Sequence, residues 1–272
     1  MWGSGRGAVH GAVEGTGLSR GRGDPAEPRG GHPGGSAGRL AAGQGMTGPV
    51  PGPDGGCGSA MLARMARDSV LTFTERGIYC PAGDFFVDPW RPVDRALVTH
   101  GHADHARWGH ARYLATEGSA PVMRHRLGDI RLETARYGEA RRIGSATVSF
   151  HPAGHVPGSA QIRVEVGGEV WVVSGDYKVE DDGLSEPFEP VRCHAFVSEC
   201  TFGLPIFDWA PQADVVAQIE GWWRANAAAG RASVVGAYAL GKAQRIIASV
   251  DASIGPILTH GAVEATNAVL RG

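Results

Sequence analysis

The sequence predicts a mixed α/β fold for the part of the chain from Val70 onward, and three observations support this prediction. Short apolar runs of strand length alternate there with Gly, Pro and Asp residues. After Pro211 the apolar residues recur at helical spacing instead. The chain has 272 residues, of which 42% are hydrophobic, and this is enough for one large domain or two modest ones.

The N-terminal stretch differs in composition from the rest of the chain. Residues 1–60 hold 20 of the 42 glycines, with scattered arginines and almost no apolar periodicity. Such a composition buries too little apolar surface to offset the entropy of the chain. We therefore expect a disordered extension over residues 1–65. The alternative is an over-extended gene start, with Met46, Met61 and Met65 as later candidates.

Eight apolar runs are predicted as strands. They are Leu71–Thr74, Gly77–Cys80, Phe85–Val87, Ala96–Thr99, Ala146–His151, Ala160–Val166, Glu169–Ser174 and Ala195–Ser198. The pair Gly167 and Gly168 separates two alternating runs, which is typical of a tight β-hairpin. The Arg-rich segment Val122–Gly138 separates the two groups of strands. For the six arginines from Arg124 to Arg142 we favour a solvated helix face over a contact with a DNA backbone.

After Pro211 the sequence predicts a second, parallel α/β unit. A helix follows this proline, with an apolar stripe formed by Val215, Ile219, Trp222 and Trp223. The stripe predicts that both tryptophans pack in a core rather than against nucleic-acid bases. A buried strand over Ala232–Ala237 and a helix over Lys242–Val250 complete the unit.

Charge and cysteine content limit the class of protein. The 26 Lys and Arg residues oppose 28 Asp and Glu residues, and the net charge of −2 argues against a protein that holds nucleic acid by bulk charge. The chain lacks an apolar run of the roughly 18 residues that a membrane helix needs, and no secretory signal is visible. The four cysteines form no CxxC pair, which suits a reducing compartment. We expect a cytoplasmic protein without a membrane partner.

The segment His100–His105 carries the strongest chemical signal. It reads His-Gly-His-Ala-Asp-His and follows an apolar strand directly, so four potential metal ligands occupy six positions. Buried imidazole and carboxylate groups at one strand end are costly unless a cation offsets their charge and fills their lone pairs. Imidazole with carboxylate suits zinc, manganese or iron rather than calcium. A His-rich surface loop is the alternative.

Two later turns have the form that such a site needs. His155 and Asp176 each follow a strand and each lie directly after a glycine, which lets the backbone approach a metal closely. A single Gly-His or Gly-Asp pair is more often an ordinary turn than a ligand. After the cluster at residues 100–105, both become candidate ligands.

These motifs, in this order and spacing, resemble those of the metallo-β-lactamase superfamily, namely HxHxDH at His100–His105 with a distal His at 155 and a distal Asp at 176. Two further strings narrow the resemblance to the β-CASP nucleases. Ser198–Gly203 looks like the E-S-T-Y-G-like string with the first β-CASP acidic residue, and Ala237–Gln244 looks like the A-F-A-L-G-R-A-Q segment. Small lactamases have neither string.

Within that group the chain most resembles the bacterial ligase-associated DNA exonucleases, over about residues 70–272. Phe73–Cys80, Gly175–Lys178 and Leu258–Glu264 carry this part of the resemblance. The resemblance implies a metallo-β-lactamase αββα sandwich over residues 66–205. A partial β-CASP α/β domain follows over residues 206–272.

The resemblance also implies two divalent metal ions, zinc first and manganese second. The implied ligands are His100, His102, Asp104, His105, His155 and Asp176. One ion would take His100, His102 and His155. The other would take the remaining ligands, with Asp176 bridging both ions.

Four residues receive supporting roles. By resemblance, Asp88 would orient a ligand imidazole through its far ring nitrogen, and Glu199 would support the leaving-group side. Asp104 could accept a proton from the nucleophile. Lys178 follows Asp176 closely and could contact substrate phosphate, on position alone.

The implied activity is phosphodiester hydrolysis by a metal-activated hydroxide. A DNA exonuclease that acts in repair beside an ATP-dependent ligase and a helicase is the first hypothesis. An RNA-processing nuclease of the same fold is the second. Thioester or lactam hydrolysis uses the same ligand cluster, but the two β-CASP strings count against it.

The family places two further histidines late in the chain, and this sequence stops at Gly272, before either. We therefore expect a truncated chain, and a nucleic-acid-binding fragment without activity is a further alternative. His260 is expected to be structural. Four more histidines are weaker ligand candidates: His110, His125, His151 and His194.

Overall fold

Two β-sheets face each other across the main core of the protein. The structure is a computed structural model and describes residues 69–272. The extension predicted to be disordered, residues 1–65, lies outside the described residues. The described residues belong to one compact unit of the chain. The domain boundary between residues 205 and 206 stays a prediction.

The first sheet has six strands that neighbour each other in sequence order. They are β1 (Thr72–Thr74), β2 (Gly77–Cys80), β3 (Phe85–Val87), β4 (Arg95–Leu97), β5 (Arg112–Thr116) and β6 (Leu132–Ala135). β1, β2 and β3 run antiparallel, whereas β3, β4, β5 and β6 run parallel. The carboxyl ends of β3 and β4 therefore meet at the same edge of the sheet.

The second sheet has five strands in the order β11-β10-β9-β8-β7. They are β7 (Arg141–Ile143), β8 (Ala146–Pro152), β9 (Ala160–Val166), β10 (Glu169–Val173) and β11 (Ala195–Val197). β7 to β10 form antiparallel pairs, and β11 joins β10 in parallel. The predicted hairpin is confirmed, since Gly167 and Gly168 connect β9 to β10 with φ angles of 59° and 88°.

Apolar side chains from both sheets form the core between them. Phe85 and Leu97 of the first sheet belong to the same buried cluster as Phe150 and Ile162 of the second, and all four are fully buried. Each such side chain stabilises the fold by roughly 1.5–3 kcal/mol relative to an exposed one. The core holds the two sheets together and so brings their loop-bearing edges to one end of the molecule.

Four α-helices lie in the described residues: α1 (Ala120–Leu127), α2 (Gln212–Ala228), α3 (Lys242–Ser249) and α4 (Gly261–Arg271), with a short 3-10 helix at Ala252–Ile254. α1 covers the outer face of the first sheet, where Met123 and Leu127 pack with Val98 and Tyr113. α4 contacts both α1 and α3. Within residues 69–272 none of the helices combines the length and the apolar character that crossing a membrane requires.

The predicted mixed α/β fold is confirmed. All eight predicted strands are present, and their bounds lie within two residues of those predicted. The helix predicted after residue 211 is α2. The helix predicted over residues 242–250 is α3, which ends one residue earlier. The sequence did not predict β5, β6, β7 or α4, and it predicted a helix face in the Arg-rich segment that contains α1 without giving its bounds. β5 lies between two parallel neighbours and is almost wholly buried, so it lacks the alternation of a half-buried strand.

Two predictions for the C-terminal part were wrong. Residues 232–237 do not form a strand, since no strand within residues 69–272 pairs with them. They are not buried either, and Val234 is 88% exposed. The two tryptophans of α2 do not pack in a core either. None of the residues of α2 is buried. Trp222 is 45% exposed and Trp223 is half-buried, because the apolar stripe of the helix lines a cavity opposite α3 instead of packing closely against it.

Candidate metal centre

Five loops bring the predicted site residues to one end of the two sheets. Each loop follows a strand: Asp88 follows β3, His100–His105 follow β4, His155 follows β8, Asp176 follows β10 and Glu199 follows β11. Because β3 and β4 are parallel, and β10 and β11 are parallel, these loops leave each sheet at a common edge. The topology therefore gathers residues that are up to 111 positions apart in the sequence, from 88 to 199.

The loop that carries His155 depends on a glycine. Gly154 has a φ of 74°, and a Cβ atom at this position would overlap the carbonyl oxygen of Lys178. The Ser159 hydroxyl accepts hydrogen bonds from the backbone N–H groups of His155 and Val156. The turn is thus held tightly, and it presents the His155 ring to the other loops.

Three histidines and one carboxylate form a compact group. His102 Nδ1 lies 2.9 Å from His100 Nε2 and 3.2 Å from His155 Nε2. Asp176 Oδ2 lies 3.8 Å from His100 Nε2 and 3.5 Å from His155 Nε2. One ligand atom from each of the four residues lies within 4.8 Å of all the others, so a single cation could contact all four.

A second group lies on the other side of the Asp176 carboxylate. Asp176 Oδ1 lies 3.3 Å from His105 Nε2, and Asp104 Oδ2 lies 3.7 Å from the same nitrogen. The Asp104 side chain is 69% exposed, whereas that of His105 is only 18% exposed. The two oxygens of Asp176 therefore face two different groups of donors.

Hydrogen bonds from outside the cluster orient its imidazoles. Asp88 Oδ2 accepts from His105 Nδ1 at 2.7 Å and from the Thr99 hydroxyl at 2.6 Å. Because the hydroxyl gives its only hydrogen to Asp88, it accepts from His100 Nδ1 at 3.1 Å. Both histidines therefore carry a hydrogen on Nδ1 and direct Nε2 into the cluster.

His102 is oriented the opposite way. Its Nε2 lies 3.1 Å from the backbone carbonyl oxygen of Leu240, in the segment that precedes α3. A carbonyl oxygen only accepts, so Nε2 of His102 donates and Nδ1 keeps its lone pair for the cluster. The C-terminal part of the chain thus supplies a direct contact to a candidate ligand.

Burial and charge set the protonation of the histidines. Burial and the neighbouring imidazoles hold the pKa of His100 well below its ordinary value, and burial lowers the pKa of His155 to about 4. Burial opposes protonation of His105 as well, but its hydrogen bonds to Asp176 and Asp88 outweigh burial and raise the pKa to about 10. The hydrogen bond with His105 in turn lowers the pKa of Asp176. His100 and His155 are therefore neutral near pH 7, which is the form that binds metal.

The donor set fits a divalent metal. The Nε2 atoms of His100 and His155 lie within 3.2 Å of His102 Nδ1, and the tautomers of His100 and His102 direct lone pairs at each other. Lone pairs at such distances repel unless a cation or a proton lies between them. Imidazole and carboxylate ligands suit zinc, manganese or iron. This cluster could therefore hold a divalent ion.

Two predicted site residues remain. Glu199 lies close to this cluster, and Lys178 follows the ligand Asp176 by two positions in the chain. Glu199 is half-buried, accepts from the backbone N–H of Thr201 at 3.1 Å, and lies close enough to His155 to act on its charge. The Lys178 ammonium donates to the carbonyl oxygen of Glu180 at 2.8 Å.

Sequence reasoning missed three contributors: Thr99, Arg126 and Leu240. Arg126 of the Arg-rich segment is not on a solvated face, because its guanidinium donates to the carbonyl oxygens of Gly101, within the His100–His105 loop, and Ala106, directly after it. One arginine among several in this segment carries no sequence signal of such a role. Leu240 acts through its backbone carbonyl oxygen, which every residue type has, so the sequence does not indicate this contact.

The other histidines within residues 69–272 lie outside the cluster. His151 bonds to Glu189 and Ser149, His194 accepts from the backbone N–H of Val170, and His125 is exposed on α1. His110 is buried against Tyr113. His260 accepts from the backbone N–H of Ala262 and caps α4, which is a structural role.

Known proteins resemble the chain in sequence. It is 32% identical over 187 residues to a protein named Probable DNA ligase from Opitutus terrae, an alignment that covers 68% of this chain and 18% of that protein. It is 33% identical over 149 residues to Ribonuclease TTHA0252 from Thermus thermophilus, which covers 44% of this chain and 34% of that protein. The aligned parts thus span about a fifth and a third of these relatives.

A solved metallo-β-lactamase from Cronobacter sakazakii is 18% identical, with a TM-score of 0.28, and the match covers 40% of this chain and 63% of that one. No family model matches the chain. The sequence relatives and the ordered series of ligand motifs at residues 100–105, 155 and 176 agree with each other. The chain belongs to the metallo-β-lactamase superfamily, in its β-CASP group.

Proposed function

We propose that the chain is a metal-dependent phosphodiester hydrolase that acts on nucleic acid. The observation that carries the proposal is the Asp176 carboxylate, whose two oxygens face separate donor groups at 3.3–3.8 Å. Two cations that share one carboxylate are the arrangement used for in-line displacement at phosphorus. The proposed ligands of one ion are His100, His102 and His155. Asp104 and His105 would hold the other, with Asp176 between the ions.

Zinc is our first choice of metal and manganese the second, because the ligands are imidazole and carboxylate. When bound, two such ions supply a water of near-neutral pKa and positive charge for the phosphate oxygens. The protein's own part is to fix the ligand rings. Asp88 and the Leu240 carbonyl oxygen do this from opposite sides of the cluster, through His105 and His102.

Three acidic or basic side chains have proposed roles in proton and charge transfer. Asp104 is exposed at the cluster and would accept a proton from the attacking water. Glu199 would support the leaving-group side, next to His155. Lys178 would pair with a substrate phosphate after its ammonium leaves the Glu180 carbonyl oxygen.

DNA is the proposed substrate, with exonuclease action in repair beside an ATP-dependent ligase and a helicase. The match to the protein named Probable DNA ligase supports this, since it covers 68% of this chain. RNA is the second candidate, supported by the match to Ribonuclease TTHA0252 over 44% of the chain. We propose the cytoplasm as the compartment, because Cys80, Cys193 and Cys200 are free thiols.

The test is cleavage of end-labelled DNA and RNA oligonucleotides of one sequence by the zinc- or manganese-loaded protein, with and without a chelator. We expect chelator-sensitive cleavage, reduced about a hundredfold or more in His102→Ala. His125→Ala is the matched control, because His125 is exposed on α1. Cleavage that resists the chelator would contradict the proposal. Binding without cleavage would favour a nucleic-acid-binding fragment that lacks activity.

A further inference from the structure

The turn before α3 is anchored to the metal loop. Its Leu240 carbonyl oxygen accepts from His102, and the Leu240 side chain is only 8% exposed. Gln244, itself buried, accepts from the backbone N–H of Gly241 at 2.7 Å and donates to the carbonyl oxygen of Ala239 at 2.9 Å. The turn therefore has a fixed position beside the candidate ligands.

Two side chains of this turn face solvent rather than the protein. Tyr238 is 75% exposed, and Lys242 is also exposed. The Lys242 ammonium lies 5.4 Å from the centre of the Tyr238 ring. Among residues 69–272, no acidic group lies within 4 Å of this ammonium. The ammonium lies over one face of the Tyr238 ring, so the other ring face and a positive charge without an acidic partner in the described part of the chain lie within two residues of Leu240.

This pair has the chemistry that a single nucleic-acid strand needs. Exposed aromatic rings stack with bases of any sequence, and a neighbouring ammonium pairs with the phosphodiester that joins them. The chain has only two lysines, and the other, Lys178, already bonds to Glu180. Lys242 is therefore the lysine whose charge is available to a ligand in the described structure.

A second exposed aromatic cluster fits a strand less well. Phe202, Phe207 and Trp209 contact each other and are 38–68% exposed. However, the sequence from residue 199 to residue 211 contains two acidic residues and no Lys or Arg. Negative charge beside this cluster would repel a phosphate backbone, so the observations favour the turn at residues 238–242.

We infer that Tyr238 and Lys242 form a nucleotide-binding subsite, in which a base of single-stranded nucleic acid stacks on Tyr238 and its phosphodiester pairs with Lys242. The inference rests on the proposed function and adds to it the group that holds the strand beside the metal centre. Base stacking and phosphate pairing are common to DNA and RNA. The test therefore measures a DNA oligonucleotide and an RNA oligonucleotide separately.

The test measures binding by the full chain in the presence of a chelator, so that cleavage does not interfere. Fluorescence anisotropy would follow a labelled ten-nucleotide oligothymidylate and, separately, an oligouridylate. The variants are Tyr238→Ala, Tyr238→Phe and Lys242→Gln. Phe73→Ala on β1 is the matched control, because Phe73 is an aromatic residue of similar exposure, 68% against 75% for Tyr238. Lysine acetylation with mass spectrometry would report on Lys242 directly, with Lys178 as an internal reference.

We expect Tyr238→Ala to weaken binding about tenfold and Tyr238→Phe to stay within about twofold of wild type. Lys242→Gln should weaken binding and lower the salt dependence by about one phosphate contact. The oligonucleotide should slow acetylation of Lys242, and Phe73→Ala should bind normally. Tighter binding of the oligothymidylate would identify DNA as the preferred ligand, and tighter binding of the oligouridylate would identify RNA.

Unchanged binding in both Tyr238→Ala and Lys242→Gln, or unprotected Lys242, would overturn the inference. Failure of the wild-type chain to bind either oligonucleotide would overturn it too. Hydrolysis of bis(p-nitrophenyl) phosphate by the metal-loaded chain keeps the two proposals apart, since this small diester needs no strand-binding subsite. Hydrolysis with failed strand binding would leave the proposed chemistry standing and remove only the subsite.

Discussion

Asp88 Oδ2 lies 2.7 Å from Nδ1 of His105, and this contact joins the end of β3 to the metal loop after β4. The Asp88 carboxylate also accepts from the Thr99 backbone N–H at 2.8 Å and from the Thr99 hydroxyl at 2.6 Å. Asp88 has a positive φ of 43°, which is uncommon for a residue other than glycine. One carboxylate therefore orients His105 directly and His100 through Thr99.

The first prediction concerns this carboxylate. Asp88→Asn replaces one acceptor oxygen by an NH₂ group, which must face a donor on Thr99 or His105. We expect zinc affinity to fall by about 10–100-fold, as measured by competition with a chromogenic chelator. Asp94→Asn is the control, because Asp94 pairs with Arg112 outside the cluster. Equal affinities for wild type and Asp88→Asn would contradict the assigned role.

The second prediction concerns the turn that carries His155. Gly154→Ala adds a Cβ that overlaps the Lys178 carbonyl oxygen, in addition to the strain of a positive φ. Gly167→Ala in the β9–β10 hairpin adds the same strain in open space. We expect Gly154→Ala to lower the free energy of unfolding by roughly 1–3 kcal/mol more than Gly167→Ala. Urea denaturation measures both; equal losses would show that the close contact is unimportant.

The third prediction concerns support of His102 from the C-terminal part of the chain. Gln244→Ala removes the hydrogen bonds that hold the turn around Leu240, so the acceptor for His102 is no longer fixed. We expect zinc affinity to fall about tenfold. Thr266→Ala removes a buried hydroxyl of α4 that donates to the Ala262 carbonyl oxygen in the same helix, and it should lower stability without affecting zinc binding. Similar zinc affinities for the two variants would contradict the prediction.

The fourth prediction concerns alkaline pH. Burial and the charge of Glu186 raise the pKa of Tyr137 above its ordinary value, and its hydroxyl donates to the Ser159 carbonyl oxygen beside the His155 turn. This stabilisation is fully present below about pH 10, where the unfolded chain also keeps the phenol proton. Above that pH the unfolded state loses its proton first, so the free energy of unfolding falls, by at most about 1.4 kcal/mol per pH unit.

Tyr137→Phe should lack this part of the decline. Urea denaturation at about pH 8 and about pH 11 measures the difference for wild type and variant. Tyr238→Phe is the control, because Tyr238 is largely exposed. The same decline in wild type and Tyr137→Phe would assign the alkaline effect to other groups.

The cluster residues could be selected from the sequence because their signal is local. His100–His105 carries four ligand types in six positions, and His155 and Asp176 each follow a glycine that ends a strand run. The structure brings these residues together at one edge. The strands around them were predictable for the same reason, since each is a short apolar run between turn residues.

The supporting contacts were not predictable because they depend on tertiary structure. His102 and Leu240 are 138 residues apart, and a backbone acceptor has no residue signature. Residues 232–237 read as a buried strand because they are apolar and β-branched, yet a strand also needs a partner, and none of the described strands pairs with them. Trp222 lies on a helical stripe, but a stripe is fully buried only when another element packs closely against it, and the stripe of α2 lines a cavity instead.

The two-metal centre is tested most directly by the position of metal ions in crystals of the zinc-loaded protein, located by anomalous scattering at the zinc edge. We expect two peaks about 3.5–4 Å apart, with one oxygen of Asp176 toward each. One peak should lie among His100, His102 and His155, and the other beside His105 and Asp104. A single peak at saturating zinc, or peaks away from Asp176, would contradict the two-metal centre.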